Sequence, residues 1–235
     1  MKNTINLFCF PYAGGSSNIY SKLKHFADKN IKVMPVELAG RGKRISEPLF
    51  KNMAEVIDDV YNIISSSVDE QPFALFGHSM GSSIVLELAQ KILKTKKTEP
   101  LHLFISGRCP PVFYKNRKNI HHLPDEEFIN EVYELGGTPK EVFENKELRS
   151  IFLPILRADY TLIEEYNYIE KDVKLSCDIT VFNGKDDKMT SMEGLEKWAD
   201  YTSGKTEIIQ FDGGHFFLLN QMERIMNIIN KTLIR

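Results

Sequence analysis

The sequence predicts an α/β fold, with a mainly parallel central sheet flanked by helices. Three observations predict it. Short apolar runs alternate with segments whose apolar residues recur at helical spacing, the pattern of βαβ units. One such strand–helix junction carries Gly77-His78-Ser79-Met80-Gly81, a G-x-S-x-G string. The stretch from residue 110 to 174 breaks the alternation with helical patterns and no convincing strand.

The elements follow in order. Ile5 to Phe10 reads as a strand, closed by Pro11 and the loop Ala13-Gly14-Gly15-Ser16-Ser17. A helix is expected near Ile19 to Asp28, then a strand from Ile31 to Glu37 and the loop Ala39-Gly40-Arg41-Gly42. Met53 to Ser66 is amphipathic, with Ile57, Val60, Ile63 and Ile64 on its apolar side. Pro72 to Phe76 reads as a buried strand, and Ile84, Val85, Leu88, Ala89, Ile92 and Leu93 mark the helix after it. Strands follow at Leu101 to Ser106, Cys177 to Phe182 and Ile208 to Phe211, and a last helix runs from about Asn220. Within residues 110–174, helical patterns cover Asp125–Leu135, Lys140–Glu144 and Glu147–Tyr168. An insertion after a strand, on the carboxyl edge where ligands bind in open α/β sheets, is expected to act as a lid. The whole chain, 1–235, is expected to form one domain with this insertion inside it.

Composition excludes several classes. At 235 residues and 42% hydrophobic content the chain can bury one substantial core. A net charge of −2 gives no field for nucleic acid or an anionic membrane. Lys94, Lys96 and Lys97 read as a solvated helix end. Cys9, Cys109 and Cys177 lie far apart, with no C-x-x-C and no metal spacing, which suits a reducing compartment. Residues 1–10 are too short and too soon interrupted for a signal peptide, and no apolar run reaches spanning length. The expectation is a cytoplasmic, monomeric protein with no membrane or nucleic-acid partner.

The chemistry starts at Ser79. On a sharp strand-to-helix turn its hydroxyl is pushed out at the carboxyl end of the sheet, and the flanking glycines avoid Cβ collisions with strand and helix. This elbow is a feature of the α/β-hydrolase fold, in which the acid and then the histidine follow the serine along the chain. Of six histidines, only His215 follows the last expected strand, in Phe211-Asp212-Gly213-Gly214-His215-Phe216. It is the expected general base. The strand ending at Phe182 leads into Asn183-Gly184-Lys185-Asp186-Asp187-Lys188. Asp187, three residues after the glycine, is the expected acid, with Asp186 as the alternative. Ser106-Gly107-Arg108 offers no carboxylate after the earlier strand. For the oxyanion, the expected donors are the backbone N–H groups of Met80 and of Ala13, with Tyr12 close behind; Pro11 has no N–H. The Gly14-Gly15 loop lacks a following Gly-Lys-Ser/Thr and does not read as a phosphate cradle. Nothing supports Cys9 as the nucleophile.

Further strings extend the pattern over nearly the whole chain: Phe10-Pro11-Tyr12-Ala13-Gly14-Gly15, Gly40-Arg41-Gly42-Lys43-Arg44, Ser106-Gly107-Arg108 with Pro110-Pro111, Leu135-Gly136-Gly137-Thr138-Pro139, Leu156-Arg157-Ala158-Asp159-Tyr160 and Gly213-Gly214-His215-Phe216. Together with the elbow, these residues resemble the type II thioesterases, the stand-alone hydrolases of nonribosomal peptide and polyketide assembly lines. Ala39 departs from the proline usual before Gly-Arg in that family. The resemblance implies an α/β-hydrolase fold with a helical lid. It implies hydrolysis of acyl thioesters on the phosphopantetheine arm of a carrier protein, for editing of stalled synthases or product release, without a cofactor of its own. A general carboxylesterase or lipase, or a medium-chain acyl-carrier-protein thioesterase, is the alternative.

Overall fold

The computed structural model describes residues 4–114, 119–169 and 174–234. Six strands form one sheet: β1 (Ile5–Phe10), β2 (Ile31–Pro35), β3 (Phe73–His78), β4 (His102–Ser106), β5 (Asp178–Gly184) and β6 (Thr206–Phe211). Their spatial order is β2-β1-β3-β4-β5-β6, and every neighbouring pair is parallel. The chain leaves β1 toward one edge and resumes at β3 on the other side of it. The carboxyl ends of β1 and β3 therefore flank a topological switch point, where such sheets open a crevice.

Strand side chains alternate between two buried faces. Phe8 and Phe10 of β1, with Leu75, Leu103, Ile105, Ile179 and Val181, face α2 (Met53–Glu70) and α3 (Met80–Lys96). Leu7 and Cys9, with Phe76, Phe104, Phe182 and Phe211, face α1 (Leu23–Phe26) and the carboxyl-terminal helix (Leu218–Leu233). Burial on both faces explains why these strands read as near-continuous apolar runs.

Between β4 and β5 the chain forms α4 (Asp125–Leu135), α5 (Lys140–Glu144) and α6 (Lys146–Glu164). They carry a small core of their own, including Phe128, Val132, Phe143, Leu153 and Leu156. After β5 come α7 (Met192–Glu196), a 3-10 turn (Lys197–Tyr201) and β6, so the final helix is α8.

Several elements differ from the sequence expectation for identifiable reasons. The helix expected near Ile19 to Asp28 is a 3-10 turn (Ser17–Tyr20) followed by the single-turn α1. Short polar side chains bond locally there: Ser16 Oγ accepts the Asn18 N–H at 3.4 Å, and Ser21 Oγ donates to Asn18 Oδ1 at 2.8 Å. Tyr20 is also pinned by its hydroxyl to the Phe10 carbonyl at 2.7 Å. The helical pattern to Tyr168 stops at Glu164, because Tyr166 turns to Glu87 and Tyr168 to Gln90, both on α3. The strand expected to reach Glu37 ends at Pro35, while Val36 N–H still donates to the Cys9 carbonyl at 2.9 Å. The short segments Met192–Glu196 and Lys197–Tyr201 carry too few residues for periodicity to reveal.

Candidate active site

Ser79 sits between β3 and α3 at φ 52° and ψ −113°, a backbone conformation that side-chain-bearing residues rarely adopt. Such a residue costs about 1–3 kcal/mol and persists only where its surroundings over-determine it. Here they do. Ser79 N–H donates to the Ser106 carbonyl at 2.8 Å, extending the β3–β4 ladder into the turn. Ser82 Oγ donates to the carbonyls of Gly77 at 2.9 Å and Ser106 at 3.1 Å. The flanking glycines are sterically required. A Cβ on Gly77 would lie 2.2 Å from the Gly81 backbone, and one on Gly81 would lie 2.2 Å from the Phe10 carbonyl oxygen.

The structure brings the three expected side chains together. Ser79 Oγ lies 3.0 Å from His215 Nε2, and His215 Nδ1 lies 2.8 Å from Asp187 Oδ2. The Asp187 side chain is fully buried and that of His215 nearly so. Asp187 Oδ1 accepts the Met189 N–H at 2.8 Å, so both carboxylate oxygens are engaged. A carboxylate on Nδ1 favours the tautomer with Nε2 unprotonated and able to accept from the serine. Two backbone bonds hold the acid loop against the histidine loop: Lys185 N–H to the Phe211 carbonyl at 2.8 Å and Asp186 N–H to the Gly213 carbonyl at 3.0 Å. Asp186 itself is exposed. Of the two loop glycines, Gly213 alone takes a positive φ, 114°.

Of the expected backbone donors, Met80 follows Ser79 directly and Ala13 lines the cavity that Ser79 also lines. Met80 opens α3, so its N–H belongs to the first turn and has no acceptor within the helix; its side chain is buried in the core. Ala13 and Tyr12 line the same cavity as Ser79 and His215. That cavity, of about 610 Å³, lies between the sheet's carboxyl edge and the helices after β4, and Tyr160 and Ile163 of α6 form part of its wall. His78, inside the elbow, is a different kind of residue. It is buried, its Nδ1 is 2.8 Å from Ser106 Oγ, and burial holds its pKa well below the usual histidine value. It is a neutral packing group behind the His215 ring, 5.1 Å away between centroids.

Sequence reasoning missed one pair. Arg41 and Asp159, 4% and 1% exposed, form a two-pronged ion pair: Nη1 to Oδ2 at 2.6 Å and Nη2 to Oδ1 at 2.7 Å. Both fell within strings noted above without a role. The available signal was Asp159 itself, a carboxylate on the apolar stripe of α6 with Ile155 and Leu162. Among the described residues no group of three or more His, Cys, Asp or Glu side chains is placed to hold a metal ion. Among them, too, no helix is long and apolar enough to cross a membrane.

A parallel sheet with its serine on the β3–α3 elbow, an aspartate after β5 and a histidine after β6 defines the α/β-hydrolase fold. Known proteins narrow the class. A family model described as a thioesterase domain matches residues 5–233. The gramicidin S biosynthesis protein GrsT of Aneurinibacillus migulanus is 37% identical over 97% of this chain and 89% of its own length. The crystal structure of ClbQ from the colibactin NRPS/PKS pathway superimposes with a TM-score of 0.94 at 38% identity, covering 98% of this chain and 97% of that one. The type II thioesterase BorB from the borrelidin biosynthetic cluster does so with a TM-score of 0.88 at 33% identity, covering 98% and 93%. The chain belongs to the thioesterase family, alongside type II thioesterases, and is a hydrolase acting on thioesters.

Proposed function

We propose that the protein removes acyl groups from the phosphopantetheine arm of carrier proteins in a nonribosomal peptide or polyketide synthase, clearing stalled sites or releasing product. The relatives named above, from gramicidin S, colibactin and borrelidin biosynthesis, support that setting. The observation that carries the reading is the hydrogen-bonded chain Ser79–His215–Asp187 at the floor of the cavity beneath the inserted helices. Ser79 Oγ attacks the thioester carbonyl while His215 Nε2 takes its proton, and Asp187 stabilises the resulting imidazolium. The N–H groups of Met80 and Ala13 receive the oxyanion. The intermediate collapses, the pantetheine sulfur leaves, and His215 returns the proton to it. A water deprotonated by His215 then cleaves the acyl-serine, releasing the acid and restoring Ser79. The helices of residues 110–174 act as the lid over the acyl chain. The enzyme works as a monomer in the cytoplasm, with no cofactor.

The test is intact-mass analysis of a panel of acyl-carrier proteins, acyl-CoAs and simple esters incubated with the enzyme. Carrier-bound thioesters should be cleaved fastest, and Ser79→Ala should lose about 10⁴-fold or more in turnover. Faster cleavage of simple esters than of matched carrier thioesters would overturn the reading.

A further inference from the structure

The turn after β1 is held from outside as well as from within. Internally, Gly15 N–H donates to the Tyr12 carbonyl at 2.9 Å. Because the trans peptide is planar, turning that carbonyl inward aims the Ala13 N–H of the same peptide outward, and Ala13 lines the cavity beside Ser79. Externally, the next N–H along, that of Gly14, donates to Asp159 Oδ2 at 2.7 Å. Arg41 Nη1 donates to the Gly15 carbonyl at 3.3 Å while it pairs with Asp159. Leu156, one turn earlier on α6, packs so closely that a Cβ on Gly14 would lie 2.4 Å from its Cδ2. Two groups from two other segments thus grip consecutive residues of one short turn, Gly14 by its N–H and Gly15 by its carbonyl.

We propose that Arg41 and Asp159 are positioning residues: their ion pair fixes the Tyr12–Gly15 turn with the Ala13 N–H aimed at the developing oxyanion, and ties that alignment to the seating of α6. The inference rests on Ser79 being the nucleophile and Ala13 a donor. A buried ion pair is a poor means of stabilising a fold, because desolvation offsets the attraction and an apolar pair of similar volume often serves as well. An apolar pair could not accept the Gly14 N–H or hold the Gly15 carbonyl.

The test uses two variants of the full chain, Asp159→Asn and the double variant Arg41→Met with Asp159→Leu. Two inhibitors are compared: an alkyl trifluoromethyl ketone, which adds to the serine as a tetrahedral oxyanion, and an alkyl pantetheine thioether, which has no carbonyl. In both variants ketone affinity should fall about 10- to 100-fold, the loss expected for a displaced catalytic group. Thioether affinity should change less than about threefold, and kcat should fall with KM little altered. In the double variant the melting temperature should stay near that of the parent while ketone affinity stays low. Recovery of ketone affinity along with stability, or equal loss of both inhibitors, would overturn the proposal by making the pair merely structural. Ketone binding should also vanish in Ser79→Ala; if it persisted there, the reading of the nucleophile would fail and the positioning role with it.

Discussion

At the scale of single residues, the competition between Asp186 and Asp187 shows how burial separates neighbours of identical chemistry. Asp187 is buried, 2.8 Å from His215 Nδ1, and its second oxygen is engaged by the Met189 N–H. Asp186 is exposed and contributes its backbone N–H, not its carboxylate, to the loop. Asp187→Asn should therefore lower kcat by about 10³- to 10⁴-fold, because an amide favours the wrong imidazole tautomer. Asp186→Asn should change kcat by less than about threefold, as exposed substitutions away from such contacts usually do. Steady-state kinetics on a carrier-bound thioester decide it, and the opposite order would move the acid to Asp186. Ser79, His215 and Asp187 were legible because each follows a recognisable strand on one edge of a parallel sheet. Arg41 and Asp159 were not, because a buried ion pair joins residues 118 positions apart and has no local pattern.

At the scale of elements, the β3–α3 junction depends on how closely backbones approach. A methyl on Gly81 would stand 2.2 Å from the Phe10 carbonyl oxygen and 2.8 Å from its carbon, so α3 or the end of β1 must shift. Both are packed, and forcing extra volume between backbones costs about 3 kcal/mol. For a protein of this size that lowers the melting temperature by about 6–12 °C. Gly81→Ala should show this drop in a thermal melt and lose activity with it, since the displaced segment leads into the Tyr12–Gly15 turn. Gly214→Ala is the control: its Cβ would meet nothing closer than the Asp186 carbonyl oxygen at 3.8 Å, so it should melt within a few degrees of the parent. Equal melts for the two would refute the backbone-contact account. Long elements were legible because burial of one stripe or both faces writes a strong period into them. The segment Ile19 to Asp28 was not, because its apolar spacing suits a helix while Asn18 and Ser21 satisfy each other locally.

At the scale of the whole molecule, the site is a space between two parts: the sheet edge that carries Ser79 and the inserted helices with a core of their own. A second cavity, of about 840 Å³, lies between α2, α3 and the end of α6, and Tyr166 borders both cavities. Tyr166 is held in that wall by its hydroxyl contact with Glu87 on α3. No sequence pattern could reveal this partition, because Tyr166 lies in the segment after α6 and its hydroxyl partner, Glu87, lies on α3. If the acyl chain lies along the first cavity, the wall sets the longest chain that fits. Tyr166→Ala should join the two spaces and move the preferred acyl length upward. Ile163→Trp, which fills the first cavity from α6, should move it downward. Each methylene gained or lost in an apolar pocket is worth about 1–3 kcal/mol of discrimination, so the optimum should shift by two or more carbons. Competition assays with carrier proteins charged with a ladder of saturated acyl chains read this directly. Unchanged profiles for both variants would mean that the chain leaves Ser79 by another route, past the loop of Lys188 and Met189, which also borders the first cavity.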